Sequence, residues 1–241
     1  MRHLSRSISM DLDRLVLAAE LPDGVLIRFR PFSEGDADMI RDVYQHRHYD
    51  LLDIRPGEVV FDVGAHIGSF ALRAARMAGE DGLVVAVEPE RSNYELLKRN
   101  AEGMENIVPL RMALSDFKGT GRLSLAEGTV AHSLVFRRSA SWEEVPVSTM
   151  NGLIEDLGIR PDMVKIDAEG AALRILSCAE SMRCRKIAIA AYHFPGEDLQ
   201  VAGMLRSMGF VPKIVHVRAS IYRSPFAPRV PVVTGEMSGR V

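Results

Sequence analysis

The chain has 241 residues, with 30 Lys and Arg against 32 Asp and Glu, and a formal net charge of −2. Near-neutral charge supplies no global drive toward nucleic acid or an anionic membrane, and 47% hydrophobic with 26% charged residues is the mixture of an ordinary soluble globular protein. No apolar run approaches the roughly 20 residues that span a bilayer, and Asp11, Asp13 and Arg14 break up any signal-peptide core. The two cysteines, Cys178 and Cys184, have neither disulfide nor zinc spacing, so free thiols and a cytoplasmic location are expected.

Residues 1–50 read as an N-terminal extension. Leu12, Leu15, Val16 and Ala19 share one helical face, Pro22-Asp23-Gly24 is a turn, and Val25–Arg30 reads as a strand. Ser33-Glu34-Gly35-Asp36 caps a helix running to about His46, and this segment could act as a lid. His46 and His48, at its end, are more simply solvated residues. Residues 51–225 then show a βα rhythm. Strand Val59–Asp62 precedes helix Ser69–Met77, and strand Leu83–Glu88 precedes helix Ser92–Glu102, with Ser92 as its cap. A third strand follows over Ile107–Ala113. Gly119, Gly121 and Gly128 punctuate alternating residues, which predicts a β-hairpin excursion at about 117–145. Helix Met150–Leu157, strand Met163–Ile166, helix Ala171–Met182, strand Lys186–Ala191 and helix Glu197–Met208 complete the rhythm. Residues 210–217 and 219–223 read as a closing antiparallel pair. The tail, 226–241, carries Pro228, Pro231, Gly235 and Gly239 and reads as loosely ordered.

Alternating strands and helices predict an α/β, Rossmann-like fold. Its mostly parallel central sheet would carry helices on both faces and end in the antiparallel pair. Ligands of such sheets sit beyond the carboxyl ends of the strands, where the strand order reverses. Asp62, Glu88, Asp116, Asp167 and His193 all fall at or just past predicted strand ends.

The stretch Phe61-Asp62-Val63-Gly64-Ala65-His66-Ile67-Gly68 is a strand, an acid and a glycine turn, with a helix to follow. Twenty residues beyond Gly68, the next apolar run ends in Glu88. This is the frame that grips an adenosine-containing cofactor, the acid of the second strand accepting from both ribose hydroxyls. The turn lacks G-x-G-x-x-G, because His66 replaces the middle glycine, so it makes a poor diphosphate cradle. Asp62 would repel a phosphate and would suit the ammonium group of S-adenosylmethionine, directly or through water.

With these residues, the chain resembles the FkbM family of S-adenosylmethionine-dependent class I methyltransferases over roughly residues 40–210. Besides the 61–68 block, the resemblance rests on Val87-Glu88-Pro89, Ala113-Leu114-Ser115-Asp116 and Lys165-Ile166-Asp167-Ala168-Glu169-Gly170. The last is the most specific. The resemblance implies that Asp62 and the turn Gly64, Ala65, His66 and Gly68 hold the methionine end. It implies that Glu88 takes the ribose hydroxyls, that Asp116 accepts from the adenine amino group, and that Pro89 and Ser115 also belong to the cofactor site. It also implies O-methylation of a hydroxyl on a sugar, glycan or small metabolite. Ala172 and Ala191 depart from it, standing where members often carry an acid.

A hydroxyl acceptor has to lose its proton as the new bond forms. Asp167 or His193 is the expected base, with Glu169 orienting the acceptor. The structural alternatives are a Glu169 that caps the following helix and a His193 that is simply hydrogen-bonded at a strand end. Asp167 and Glu169 could together bind a divalent cation, but no further ligand spacing accompanies them, so no metal is expected. Competing readings are an RNA ribose methyltransferase and a cofactor-binding domain without turnover. Nucleic acid and membrane are not the expected partners. The amino-methylating signature Asp-Pro-Pro-Tyr is absent.

Overall fold

The computed structural model of the chain describes residues 8–11, 16–33, 35–126, 130–136, 139–220 and 229–238. Three short strands come first: β1 (Ile8–Asp11), β2 (Val16–Glu20) and β3 (Leu26–Phe29), an antiparallel sheet in the order β1-β2-β3. Val16 and Ala19 therefore lie in a strand and not on the expected helical face, while Leu12 and Leu15 fall outside the described residues. Pairing with β3 supplies β2 with backbone partners that an isolated, weakly amphipathic helix could not match. Helix α1 (Asp36–Tyr44) follows.

The core continues with β4 (Val59–Val63), α2 (Ser69–Ala78), β5 (Leu83–Val87), α3 (Arg91–Asn100) and β6 (Ile107–Leu110). A second small sheet is built from β7 (Ala113–Leu114), β8 (Gly119–Ser124) and β9 (Trp142–Ser148). The excursion thus extends to Ser148, because β8 pairs antiparallel with β9. Then come α4 (Met150–Leu157), β10 (Met163–Ile166), α5 (Ala172–Leu176), β11 (Lys186–Ala190), α6 (Glu197–Ser207), β12 (Phe210–Val217) and β13 (Val230–Met237).

The main sheet has the order β12-β13-β11-β10-β4-β5-β6. Its five strands from β11 to β6 are parallel, and β13 runs antiparallel between β11 and β12. The chain winds outward from β4 to β6, returns to β10 beside β4, and winds outward again. The β4/β10 seam is therefore the topological switch point. Strand alternation sends Val60, Val84 and Ala86 to one face, against the alanines of α2. It sends Phe61, Val63, Val85 and Val87 to the other, against Met150, Ile175 and Leu205. Ile27, Ile40 and Val43 of the extension join the first of these clusters.

Two further expectations need correction. The antiparallel partner of β12 is β13, so residues 230–237 form an interior strand and not a loosely ordered tail. Val230, Val232 and Val233 are buried, Val232 and Val233 on opposite faces of the sheet, which is ample reason for the strand despite Pro231 and Gly235. Most of the expected 219–223 strand lies outside the described residues. Helix α5 spans five residues and not twelve, and its end at Leu176 leaves both free cysteines beyond it.

Candidate active site

The turn after β4 is held tightly. The Gly64 and Ala65 amides both donate to the Val87 carbonyl, at 2.9 and 3.0 Å. Gly64 has φ +78°, and a Cβ there would lie 1.9 Å from the Asp167 carbonyl oxygen, so only glycine fits this crossing of the two switch-point loops. Glu88 fastens the turn from the other side. Its carboxylate accepts from the His66 amide at 2.8 Å and from the Glu90 amide at 3.0 Å. Burial pushes the Glu88 pKa up to about 7 against the effect of these bonds.

His66 itself has φ +54°, uncommon for a residue with a Cβ. Burial pushes its imidazole down to about 4, so it is neutral at physiological pH. A ring nitrogen lies 3.4 Å from Asp36 Oδ1 of α1. Asp36 is gripped by Arg30, whose guanidinium also donates to Ser92 Oγ at 2.7 Å and Asn93 Oδ1 at 2.6 Å. The extension is thereby tied to both the glycine turn and the start of α3.

Around these groups lies a cavity of about 370 Å³ at the carboxyl ends of the strands. Among its lining are Gly64, His66, Glu88, Pro89, Asp167, Glu169 and His193, seven of the residues singled out from sequence. Asp167 Oδ2 accepts from the Tyr49 hydroxyl at 2.9 Å. Glu169 has φ +47°, and its carbonyl accepts from Ser133 Oγ at 2.8 Å. The residue at the N-cap of α5 is Ala171, whose side chain supplies no cap. His193 Nδ1 lies 3.0 Å from Glu197 Oε2, and the His193 amide donates to the same oxygen at 2.7 Å. Burial alone would lower the His193 pKa, but the Glu197 hydrogen bond and the Glu169 and Asp167 charges outweigh it and raise it.

Five expected residues lie elsewhere. Asp62 is fully buried, and the ammonium it meets is Lys165 Nζ at 2.9 Å, which also donates to the Gly64 carbonyl at 2.8 Å. Asp62 and Lys165 are register partners on β4 and β10, so their side chains leave the same face of the sheet side by side. Asp62 thus braces the turn through Lys165 and is not among the residues that line the cavity. Ala65 and Gly68 support the turn from behind; a Cβ on Gly68 would meet Leu97 at 2.7 Å. Ser115 is buried, donating to Asp116 Oδ1 at 2.9 Å, and Asp116 is exposed. The chain leaves the main sheet at β7 and carries Asp116 to an exposed position, so it is not among the residues that line the cavity. Apolar Met112, Leu114, Leu123 and Leu134 line the cavity instead. Val130, His132 and Met39 are further lining residues that no motif signalled. Ala172 and Ala191 are both buried in the core, in a setting where an acid would be costly.

The order of the sheet, the glycine turn with its acid-ended neighbour and the cavity at the switch point define a class I methyltransferase that uses S-adenosylmethionine. Solved structures agree on the fold. The fibrillarin of Aeropyrum pernix, with natively bound S-adenosyl-L-methionine, matches with TM-score 0.55 at 16% identity, covering 97% of this chain and 99% of that one. The precorrin-6y C5,15-methyltransferase of Geobacter metallireducens matches with TM-score 0.52 at 13% identity, covering 78% and 84%. The family model of the methyltransferase FkbM domain matches residues 62–212, more than half of the chain, which therefore belongs to the FkbM methyltransferase family. A relative in Streptomyces tacrolimicus, 31-O-demethyl-FK506 methyltransferase FkbM, is 27% identical over 237 residues, 81% of this chain and 89% of that protein. Among the described residues no helix is long and apolar enough to cross a membrane.

Proposed function

We propose that the chain methylates a hydroxyl oxygen of a sugar, glycan or other small metabolite. The observation that carries this reading is one cavity lined both by Gly64 and Glu88 and by Asp167, Glu169 and His193. Its volume suits small molecules, not a nucleic-acid duplex. The relative named for a 31-O-demethyl substrate supports an oxygen acceptor.

The residues fit the cofactor. Gly64 lines the cavity beside the buried Glu88, whose carboxylate keeps lone pairs for two ribose hydroxyls. When bound, S-adenosylmethionine supplies an electrophilic methyl on a sulfonium and leaves as S-adenosylhomocysteine, the electrons of the broken S–CH₃ bond staying on sulfur. The protein aligns the acceptor oxygen with that methyl, which contributes several kcal/mol through orientation alone. Asp167 or His193 receives the hydroxyl proton, and Glu169 holds the acceptor in place. Tyr49 fixes the Asp167 carboxylate by its hydrogen bond.

The test incubates the protein with labelled cofactor and a panel of hydroxylated sugars, glycans and metabolites, RNA serving as the competing acceptor. The expected product is an O-methyl ether of a small molecule. Asp167→Asn should lower kcat by about 10²-fold or more, with the affinity for S-adenosylhomocysteine within about threefold of wild type. Methylation of RNA alone, or transfer to nitrogen or carbon, would contradict the reading.

A further inference from the structure

We propose that Asp167, Glu169 and His193 together bind one divalent cation, Mg²⁺ or Mn²⁺, in the cavity. Asp167 follows β10, Glu169 lies two residues on, and His193 follows the adjacent parallel strand β11. Each offers one ligand atom, and these atoms lie within 4.8 Å of one another. Sequence spacing shows only the two carboxylates. The third ligand arrives through strand pairing, out of reach of any spacing rule.

The histidine is what turns an acidic pair into a ligand set. Its side chain is 3% exposed, and Nε2 has no hydrogen-bond partner among the described residues. Glu169 Oε2 is 3.7 Å away, beyond hydrogen-bond reach but close enough to share a bridging ion. On the far side of the ring, Nδ1 faces the buried carboxylate of Glu197 at 3.0 Å. A carboxylate accepts, so Nδ1 carries a proton, and Nε2, once it gives up any proton of its own, offers a lone pair toward Asp167 and Glu169. A histidine whose second nitrogen donates to a carboxylate is the usual form of a metal-bound imidazole. Two carboxylates converging on one buried nitrogen repel one another until a positive charge, a proton on Nε2 or a metal ion displacing it, stands among them. Lys165 does not serve, since its ammonium is bound by Asp62 and the Gly64 carbonyl.

Two carboxylates and one imidazole make an oxygen-rich set without thiolate, which suits Mg²⁺ or Mn²⁺. The role of the ion rests on the O-methylation reading, although its binding does not. A cation there lowers the pKa of an acceptor hydroxyl that coordinates it. With the ion bound, Asp167 and His193 are occupied as its ligands and no longer act as the base: the O–H bond breaks, its proton leaves to solvent water, and the oxygen takes the methyl group as the S–CH₃ pair stays on sulfur.

The experiment titrates Mn²⁺ into chelator-treated full-length protein. Free Mn²⁺ is followed by electron paramagnetic resonance, and S-adenosylhomocysteine binding is measured on the same samples. One Mn²⁺ per chain is expected, displaced by Mg²⁺. Its affinity should fall about tenfold or more in His193→Ala and in Glu169→Gln. Glu197→Gln, which touches only the histidine, should lower it about tenfold. S-adenosylhomocysteine affinity within about threefold of wild type shows that each variant has folded. A wild type that binds S-adenosylhomocysteine but no Mn²⁺ overturns the site. So does Mn²⁺ binding unchanged in both His193→Ala and Glu169→Gln. Mn²⁺ binding without any O-methyl product supports the site and overturns the acceptor reading. An O-methyl product formed equally fast in excess chelator supports the acceptor reading and overturns the ion's part in the reaction.

Discussion

Burial shapes the chemistry of single residues throughout this site. The Glu88 carboxyl has its ordinary value near 4.5 raised to about 7, so the folded protein holds a proton there that the unfolded chain has released. The resulting stability is complete below about pH 4.5 and is lost as pH rises through about 7. Cofactor binding runs the other way, because two ribose hydroxyls need an ionised carboxylate to accept both. S-adenosylhomocysteine should therefore bind about tenfold more tightly at pH 8 than at pH 6 by calorimetry, and Glu88→Gln should flatten that dependence. Lys165 answers a different constraint. Burial would lower its pKa, but Asp62 and Asp167 outweigh that and raise it, so the Lys165 ammonium stays charged. Lys165→Met would strand Asp62 as an unpaired buried charge, at a cost of about 3–5 kcal/mol. Adding Asp62→Asn to Lys165→Met should recover much of that loss in urea unfolding, whereas equal losses in single and double variants would deny the coupling.

At the level of elements, the glycine turn is where two loops meet at the switch point. Gly64→Ala places a Cβ 1.9 Å from the Asp167 carbonyl oxygen, backbone that has little room to yield, at a residue with φ +78°. The substitution should cost about 2–4 kcal/mol in thermal unfolding and weaken cofactor binding in parallel. A variant with wild-type stability and affinity would show that the loops are looser than described. These βα units were legible because their signals are local. Val59–Val63, Leu83–Val87 and Met163–Ile166 are short apolar runs closed by acids, and the helices after the first two follow with clear caps or glycines. The cap of α3 shows the limit. Glu90, not Ser92, accepts from the Ser92 and Asn93 amides, a choice made by where the chain leaves β5. Asp116 shows it more sharply. Its motif places it correctly in the chain, but the departure into the second sheet carries it away from the cavity. The lining contributed by Val130 and His132 depends on how the excursion folds back, which no local pattern encodes.

For the whole molecule, the main sheet is completed from its C-terminal end. Strand β13 enters between β12 and β11 after the rest of the sheet has been laid down in sequence. Pro231 and Gly235 disguise it as a loop in the sequence, yet Val232 and Val233 are almost fully buried. Ending the chain at Arg229 would leave facing edges of β11 and β12 unpaired, and such a protein should fail to show a cooperative melt by circular dichroism. A truncated chain that melts at the wild-type temperature would contradict the topology. The same sheet brings Glu88 from β5, Asp167 from β10 and His193 from β11 to one rim, and this convergence is the basis of the functional reading. Calorimetric titration of the full chain with S-adenosylhomocysteine, for wild type and Glu88→Ala at pH 8, tests that reading most directly. Micromolar binding by wild type, weakened at least tenfold in the variant, is the predicted result. Absence of binding to folded wild type, or equal binding by both proteins, would contradict it.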